Sequence, residues 1–451
     1  MPVPNSRRAS AAAGALLFIA SFAVAAPSSA AGVQVLNPQQ FAGTDGTAKW
    51  PQFGYDPGQT AYNPLETTIT TKNVSKLQIL WNDSSIIQPG GIVVDGSIAY
   101  VDDQGQSNAG LYALDTTTGA QKWFAQVNLN GSWGNFVHPV AAVAGNVVVT
   151  PCSNGQSSGF LTGLCGVDSK TGAIVWTHLC SQYQGGGCEG IVNGTSPTFY
   201  DSRIIFQTTE GVNEQPDTEA LNPKTGALLW DVPGEYHCPD AGDTSGNPLP
   251  GANGLVFAVL GCQGPSGSTY ICALSAKSGA SVWCAASESV YVQGLIAGGG
   301  MLYVAENAGS DGQVVAFDAK TGAQEWTTTL PRTVDSLALA GSRLFVNDGL
   351  AGVYALSTGN GKQLWNYSAN ANYTNGGVLS VADGIVFTDG GGGNNGNDGL
   401  TALNEKNGAL LWASSFGNGA APATPVIVNG AIYAGCYTLC ALKLPALRAR
   451  Y

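Results

Sequence analysis

The sequence predicts an all-β fold: an eight-bladed β-propeller of four-stranded blades, closed by an N-terminal strand that pairs with the C-terminal blade. Three features predict it. An 11-residue phrase ending in Gly, three residues and Trp occurs seven times in the 451 residues. A glycine-turned hairpin stands about twenty residues upstream of most copies, and each end of the chain holds part of one further unit. Self-similarity at a period of roughly 40 to 50 residues marks an array of small units that bury their apolar faces against one another.

The phrase is ALDTTTGAQKW at 113–123, then GVDSKTGAIVW, ALNPKTGALLW, ALSAKSGASVW, AFDAKTGAQEW, ALSTGNGKQLW and ALNEKNGALLW. Its Gly and Trp keep their spacing from Gly119/Trp123 to Gly408/Trp412, while the stretches between phrases vary in length. Each copy reads as a hairpin: an apolar strand end, a polar turn, a Gly free to take positive φ, then a strand closing on Trp. Upstream hairpins such as IVVDGSIAYV at 92–101, AAVAGNVVVT at 141–150 and LALAGSRLFV at 337–346 supply two more strands, which makes a four-stranded blade. The last hairpin, PVIVNGAIYAG at 425–435, is followed by CALKL at 440–444 but by no Gly-x-x-x-Trp, whereas NVSKLQILW at 73–81 has no hairpin before it. Joined, the two complete an eighth blade and remove the open edge of the ring. Each Trp is expected to pack between neighbouring blades. One propeller domain is expected over residues 50–444.

Residues 1–31 carry Arg7 and Arg8, an apolar run from Ala11 to Ala25, and the small residues Ser28-Ser29-Ala30-Ala31. This is the pattern of a secretory signal peptide. No Cys follows the run to take a lipid, and no later stretch reaches the roughly 20 apolar residues of a membrane span. A secreted or extracytoplasmic protein, soluble and without membrane insertion, is expected.

The ten cysteines suit an oxidising compartment. Proximity in sequence pairs Cys152 with Cys165, Cys180 with Cys188, Cys272 with Cys284 and Cys436 with Cys440, leaving Cys238 with Cys262. No C-x-x-C and no C-x-x-C-H occurs, so neither a zinc-type site nor c-type haem is indicated.

Without residues 1–31 the chain has 16 basic and 30 acidic residues, a balance that makes nucleic acid and anionic membranes poor partners. Charged residues form 11% of the chain, against about 25% in ordinary domains. Sparse charge fits either an acidic exterior or a neutral, glycine-rich secreted surface.

The A-x-D-x-x-T-G-x-x-x-W phrase, with WPQFGYDPGQTAYNP at 50–64 and NVSKLQILW at 73–81, resembles the pyrroloquinoline-quinone (PQQ) repeat family of eight-bladed propellers over nearly all of the mature chain. The family holds both quinoprotein alcohol dehydrogenases and non-catalytic scaffolds of outer-membrane assembly. In the dehydrogenases the resemblance implies PQQ on the propeller axis beneath a disulfide of adjacent cysteines and above a Trp. It also implies Ca²⁺ held by Glu, Asn and Asp, and an Asp base. This chain has no Cys-Cys pair, and it lacks the haem motif and the long insertions of the larger enzymes.

The first strand of each blade lines the channel, so the segment before it reaches the mouth. Those segments supply Gln88, His138, Glu189, Asn193, Asp243, Asn247, Gln293, Asp335, Asn375 and Thr424. Glu189, Asn193 and Asp243 have the hard oxygen donors Ca²⁺ takes, Trp133 offers a stacking face, and Asp243 is the candidate base; the alternative is that these groups bind neighbouring loops and water. His138 reads as a loop-packing residue, and DGGGGNNGNDG at 389–399 as a hairpin loop without EF-hand spacing.

Two functions fit. The first is an exported, non-catalytic binding or scaffold protein, expected monomeric, that takes a protein, peptide or glycan on the Cys-containing loops at 177–195 and 231–250. The alternative is a PQQ- and Ca²⁺-dependent dehydrogenase oxidising an alcohol or sugar. The missing vicinal disulfide favours the first.

Overall fold

A computed structural model describes residues 49–445 except 87–88, 104–109, 128–139, 153–162, 180–189, 192–195, 211–214, 233–248, 261–268, 288–290, 309–310, 349–351, 369–377, 390–398, 415–423 and 437. Eight antiparallel blades follow one another in chain order. The fifth is typical, with strands Tyr291–Gly298, Met301–Ala308, Asp311–Asp318 and Gln324–Leu330. The eighth closes as expected. Val426–Val428, Ala431–Gly435 and Leu439–Lys443 come from the C-terminal end, and Gln78–Asp83 pairs antiparallel with Leu439–Lys443 as the fourth strand.

Local chemistry explains the repeated phrase. Its acidic residue ties the turn: Asp115 Oδ1 accepts the amides of Thr117 and Thr118, and Asp168 and Asp318 do the same with Thr171 and Thr321. Lys122 and these amides hold the half-buried Asp115 carboxyl down at about 2. The first-to-second strand turns are two-residue primed turns. Pairs such as Asn253-Gly254 and Asp383-Gly384 take positive φ at both positions, as the twist of the flanking strands requires.

The core consists of eight layers, each between two neighbouring blades. In seven contacts the Trp of one blade lies on the phrase Gly of the next and donates its indole N–H to a turn carbonyl there, from Trp81 to Thr116 O at 3.1 Å through Trp365 to Glu405 O at 2.9 Å. The eighth blade has no such phrase. There Trp412 packs beside Val74 and Leu77, around the short 3-10 helix Val74–Lys76 that precedes the closing strand.

One irregularity recurs in all eight outer strands. The register shifts just before Trp and leaves a single residue unpaired: Leu80, Lys122, Val175, Leu229, Val282, Glu325, Leu364 and Leu411. Such a bulge bends an edge strand and blunts it against pairing with another chain. It also explains why Ile174 and Val175, or Leu228 and Leu229, are both exposed although adjacent in sequence.

Candidate functional site

In every blade the inner strand turns one backbone edge toward the axis, because its second strand occupies the other edge. At the C-terminal ends of these strands the segment 49–63 takes up that edge. Lys49 and Trp50 pair with Asp95 and Val94 of the first blade. Pro51 O accepts Val143 N of the second at 2.7 Å, and Gln52 Oε1 accepts Phe199 N of the third at 2.8 Å. Pro57, Gly58, Thr60 and Ala61 carbonyls accept Gly251, Ala297, Leu339 and Val381 amides of the fourth to seventh blades at 2.6–2.9 Å. Asn63 Nδ2 donates to Ile427 O of the eighth at 2.8 Å. The segment is a strap that touches all eight blades in order and floors the axis.

The strap holds an unusual path. Tyr55, Gln59 and Ala61 have φ of 75°, 59° and 52°, a region that costs a non-glycine residue energy and persists only where the surroundings impose it. At Gly58 the approach is so close that a Cβ would meet Ala297 O. Buried Asp56 ties the bend by accepting Thr60 N at 3.0 Å and Thr60 Oγ1 at 2.8 Å. Burial outweighs these bonds and pushes its carboxyl up to about 6.

The opposite ends of the inner strands form the other mouth. Every connection between blades leads there, and so does every connection from the second to the third strand, while the strap side carries the tight turns. Of the residues expected at this mouth, Gln293, Asp335 and Thr424 are described. Asp335 is exposed, yet desolvation by the surrounding protein, and then the Asp348 carboxylate, raise its pKa. Gln88, Trp133, His138, Glu189, Asn193, Asp243, Asn247 and Asn375 lie outside the described residues, as do Cys180, Cys188, Cys238 and Cys262 and the interior of the 389–399 loop.

Three expected disulfides are formed. Cys152–Cys165 spans the second-to-third strand connection of the second blade, and Cys436–Cys440 spans that of the eighth. Cys272–Cys284 crosses the outer strands of the fourth blade, whose residues face each other. Two of the three therefore brace connections on the mouth side.

Side chains that the sequence reading left unmarked also gather near the mouth. His178 Nε2 lies 2.8 Å from Glu219 Oε2 across the second and third blades. Beside that pair, desolvation, then Asp217 and Glu219, push Asp231 up to about 6. Asp102 is buried and accepts Thr150 Oγ1 on both oxygens. Nothing in the spacing of His178 and Glu219, or of Asp102 and Thr150, announces them, since each partner sits on another blade. Among the described residues no three His, Cys, Asp or Glu side chains are grouped to hold a metal ion. None of their helices is long and apolar enough to cross a membrane.

The family model described as outer membrane protein assembly factor BamB matches residues 72–263, 217–375 and 267–443. No curated protein matches the chain. Among solved structures, a quinohemoprotein alcohol dehydrogenase from Comamonas testosteroni is similar with a TM-score of 0.67 and 14% identity, covering 92% of this chain and 83% of that one. A quinohemoprotein alcohol dehydrogenase from Pseudomonas putida HK5 gives 0.63 and 12%, covering 88% and 80%. BamB from Moraxella catarrhalis gives 0.51 and 14%, covering 83% and 99%. At these identities the likeness is one of fold.

Proposed function

Since the chain belongs to the PQQ-repeat family described as outer membrane protein assembly factor BamB, we propose that it is an exported propeller acting as a non-catalytic binding scaffold, with residues 1–31 as its export signal and 50–444 as the working domain. The observation that carries this reading is the two-sided build of the ring. The strap bonds to all eight inner strands on one side and makes the ring one body. The connections between blades and those from second to third strands join strand ends on the other side, where two disulfides brace the strands. Connections of that kind on a rigid scaffold are where proteins place recognition. The occupant is expected to be a protein, peptide or glycan met outside the cytoplasm, which suits the disulfides and the sparse surface charge.

The test uses the purified full chain. Segments 181–187 and 234–248 are each replaced by Gly-Ser linkers, and binding to a glycan array and to the exported protein fraction of the source cells is compared with wild type. Loss of binding with an unchanged melting temperature supports the scaffold reading; binding that survives both replacements overturns the placement on these loops. In parallel the metal-stripped protein is titrated with PQQ and Ca²⁺. A rise in melting temperature that needs both, and that is lost in Glu189→Ala or Asp243→Ala, would replace the scaffold reading with a quinoprotein dehydrogenase acting on an alcohol or sugar, because a ligand specific for the native state must stabilise it.

A further inference from the structure

Eight of the described carboxylate side chains are buried, and not one lysine or arginine is buried with them. A carboxylate taken out of water needs either a cation or hydrogen bonds, and one with neither shifts toward its neutral form. The partners here divide by chemistry. Glu66 accepts only main-chain amides in the bonds it makes, from Thr68, Ile69 and Gly430, and amides can serve only an acceptor. Three others meet a hydroxyl: Asp56 with Thr60 Oγ1 at 2.8 Å, Asp102 with Thr150 Oγ1 at 2.9 Å, and Glu306 with Ser287 Oγ at 2.6 Å. A hydroxyl both donates and accepts. When such a carboxyl takes a proton, the bond reverses direction and none is lost.

We propose that the carboxyl–hydroxyl pairs of Asp56 and Asp102 take up protons in the folded state, so that the propeller gains stability as its medium passes from neutral to mildly acidic and is built to work in an acidic exterior. The two groups sit where this would matter. Asp56 fixes the bend of the strap that spans the blades, and Asp102 joins the first blade to the second. Around Asp102 are the Thr150 hydroxyl of the next blade and the Asp103 carboxyl of its own strand. Around Asp56 are Thr60, the amides of Gly58 and Gln59, and the Tyr55 phenol.

Burial, the larger cause, pushes Asp102 up to about 7 and Asp56 to about 6, from an ordinary value of 3.8. Between pH 4 and 7, roughly, the folded chain therefore binds more protons than the unfolded one, and stability rises as pH falls through that window. The turn carboxylates Asp115, Asp168 and Asp318, all held low, oppose it only below the ordinary carboxylate range. The sparse charge of the whole sequence limits the general repulsion that acid produces.

Melting temperature is measured on the full chain from pH 7.5 to 4.5 for wild type, Asp102→Asn and Asp56→Asn. Wild type is expected to melt higher at pH 5 than at pH 7.5. Each asparagine, which keeps the shape and removes the charge, is expected to raise the neutral value toward the acid one and so flatten the profile. A wild-type melting temperature that falls steadily on acidification, or asparagine variants that keep the full wild-type slope, would overturn the proposal. If a variant does not fold, unfolding calorimetry of wild type at pH 6 in two buffers of different ionisation enthalpy decides: proton release on unfolding is expected, and proton uptake refutes the idea.

Discussion

Trp176 of the second blade lies flat on Gly226 of the third and donates its indole N–H to Pro223 O at 3.0 Å. The contact needs a residue without a side chain. A Cβ on Gly226 would stand 2.5 Å from Trp176 Cε3, and the backbone there has φ of 68°. Gly226→Ala is therefore expected to destabilise the protein by about 2–4 kcal/mol, from a left-handed alanine and an overfilled contact together. Urea unfolding gives the value, and a loss under 1 kcal/mol, roughly, would show that the blades can separate to make room.

The closing strand makes the same contact at the seam of the ring, where Trp81 covers Gly119 and bonds to Thr116 O. Trp81→Ala removes a large packed ring and is expected to cost about 3–5 kcal/mol. Removing the chain after Thr438 takes away the partner of Gln78–Asp83. Circular dichroism melting of that truncated chain should lose the single cooperative transition of the full one.

Ala61 is held at φ of 52° so that its carbonyl reaches Val381 N at 2.7 Å. Glycine relieves the left-handed penalty of about 1–2 kcal/mol but loses some of it to unfolded-chain entropy. A net stabilisation of roughly 0.5–1 kcal/mol is expected for Ala61→Gly. A destabilised variant would mean that the strap path is not under strain at this residue.

The Cys152–Cys165 disulfide closes a segment of 13 residues at the mouth. The double change to serine is expected to cost about 2–4 kcal/mol. In the binding assay it should weaken capture before it abolishes folding, because it frees a connection on the recognition side. Unaltered binding after loss of the disulfide would argue that this connection takes no part.

Much of the fold was legible because each blade is made by neighbours in sequence. Asp115 ties its own turn, and Gly119 and Trp123 repeat their roles at fixed spacing wherever the phrase recurs. The three described disulfides lie within 13 residues of sequence, so proximity found them. The motif WPQFGYDPGQTAYNP was visible as a mark of family resemblance, but not as a strap, since its hydrogen bonds run to partners on every blade.

The sequence alone determined the repeat, the blade count, the clasp of the 73–81 segment with the C-terminal blade, and the inter-blade place of the tryptophans, because these follow from short-range turn chemistry and from apolar periodicity. Only the tertiary structure decided the floor of the axis and the proton-accepting pairs. Asn63 meets Ile427 across 364 positions and Asp102 meets Thr150 across 48. Ring closure brings such groups together, and burial then sets their chemistry: a carboxyl is an ordinary surface acid until the fold removes its water and leaves a hydroxyl as its partner.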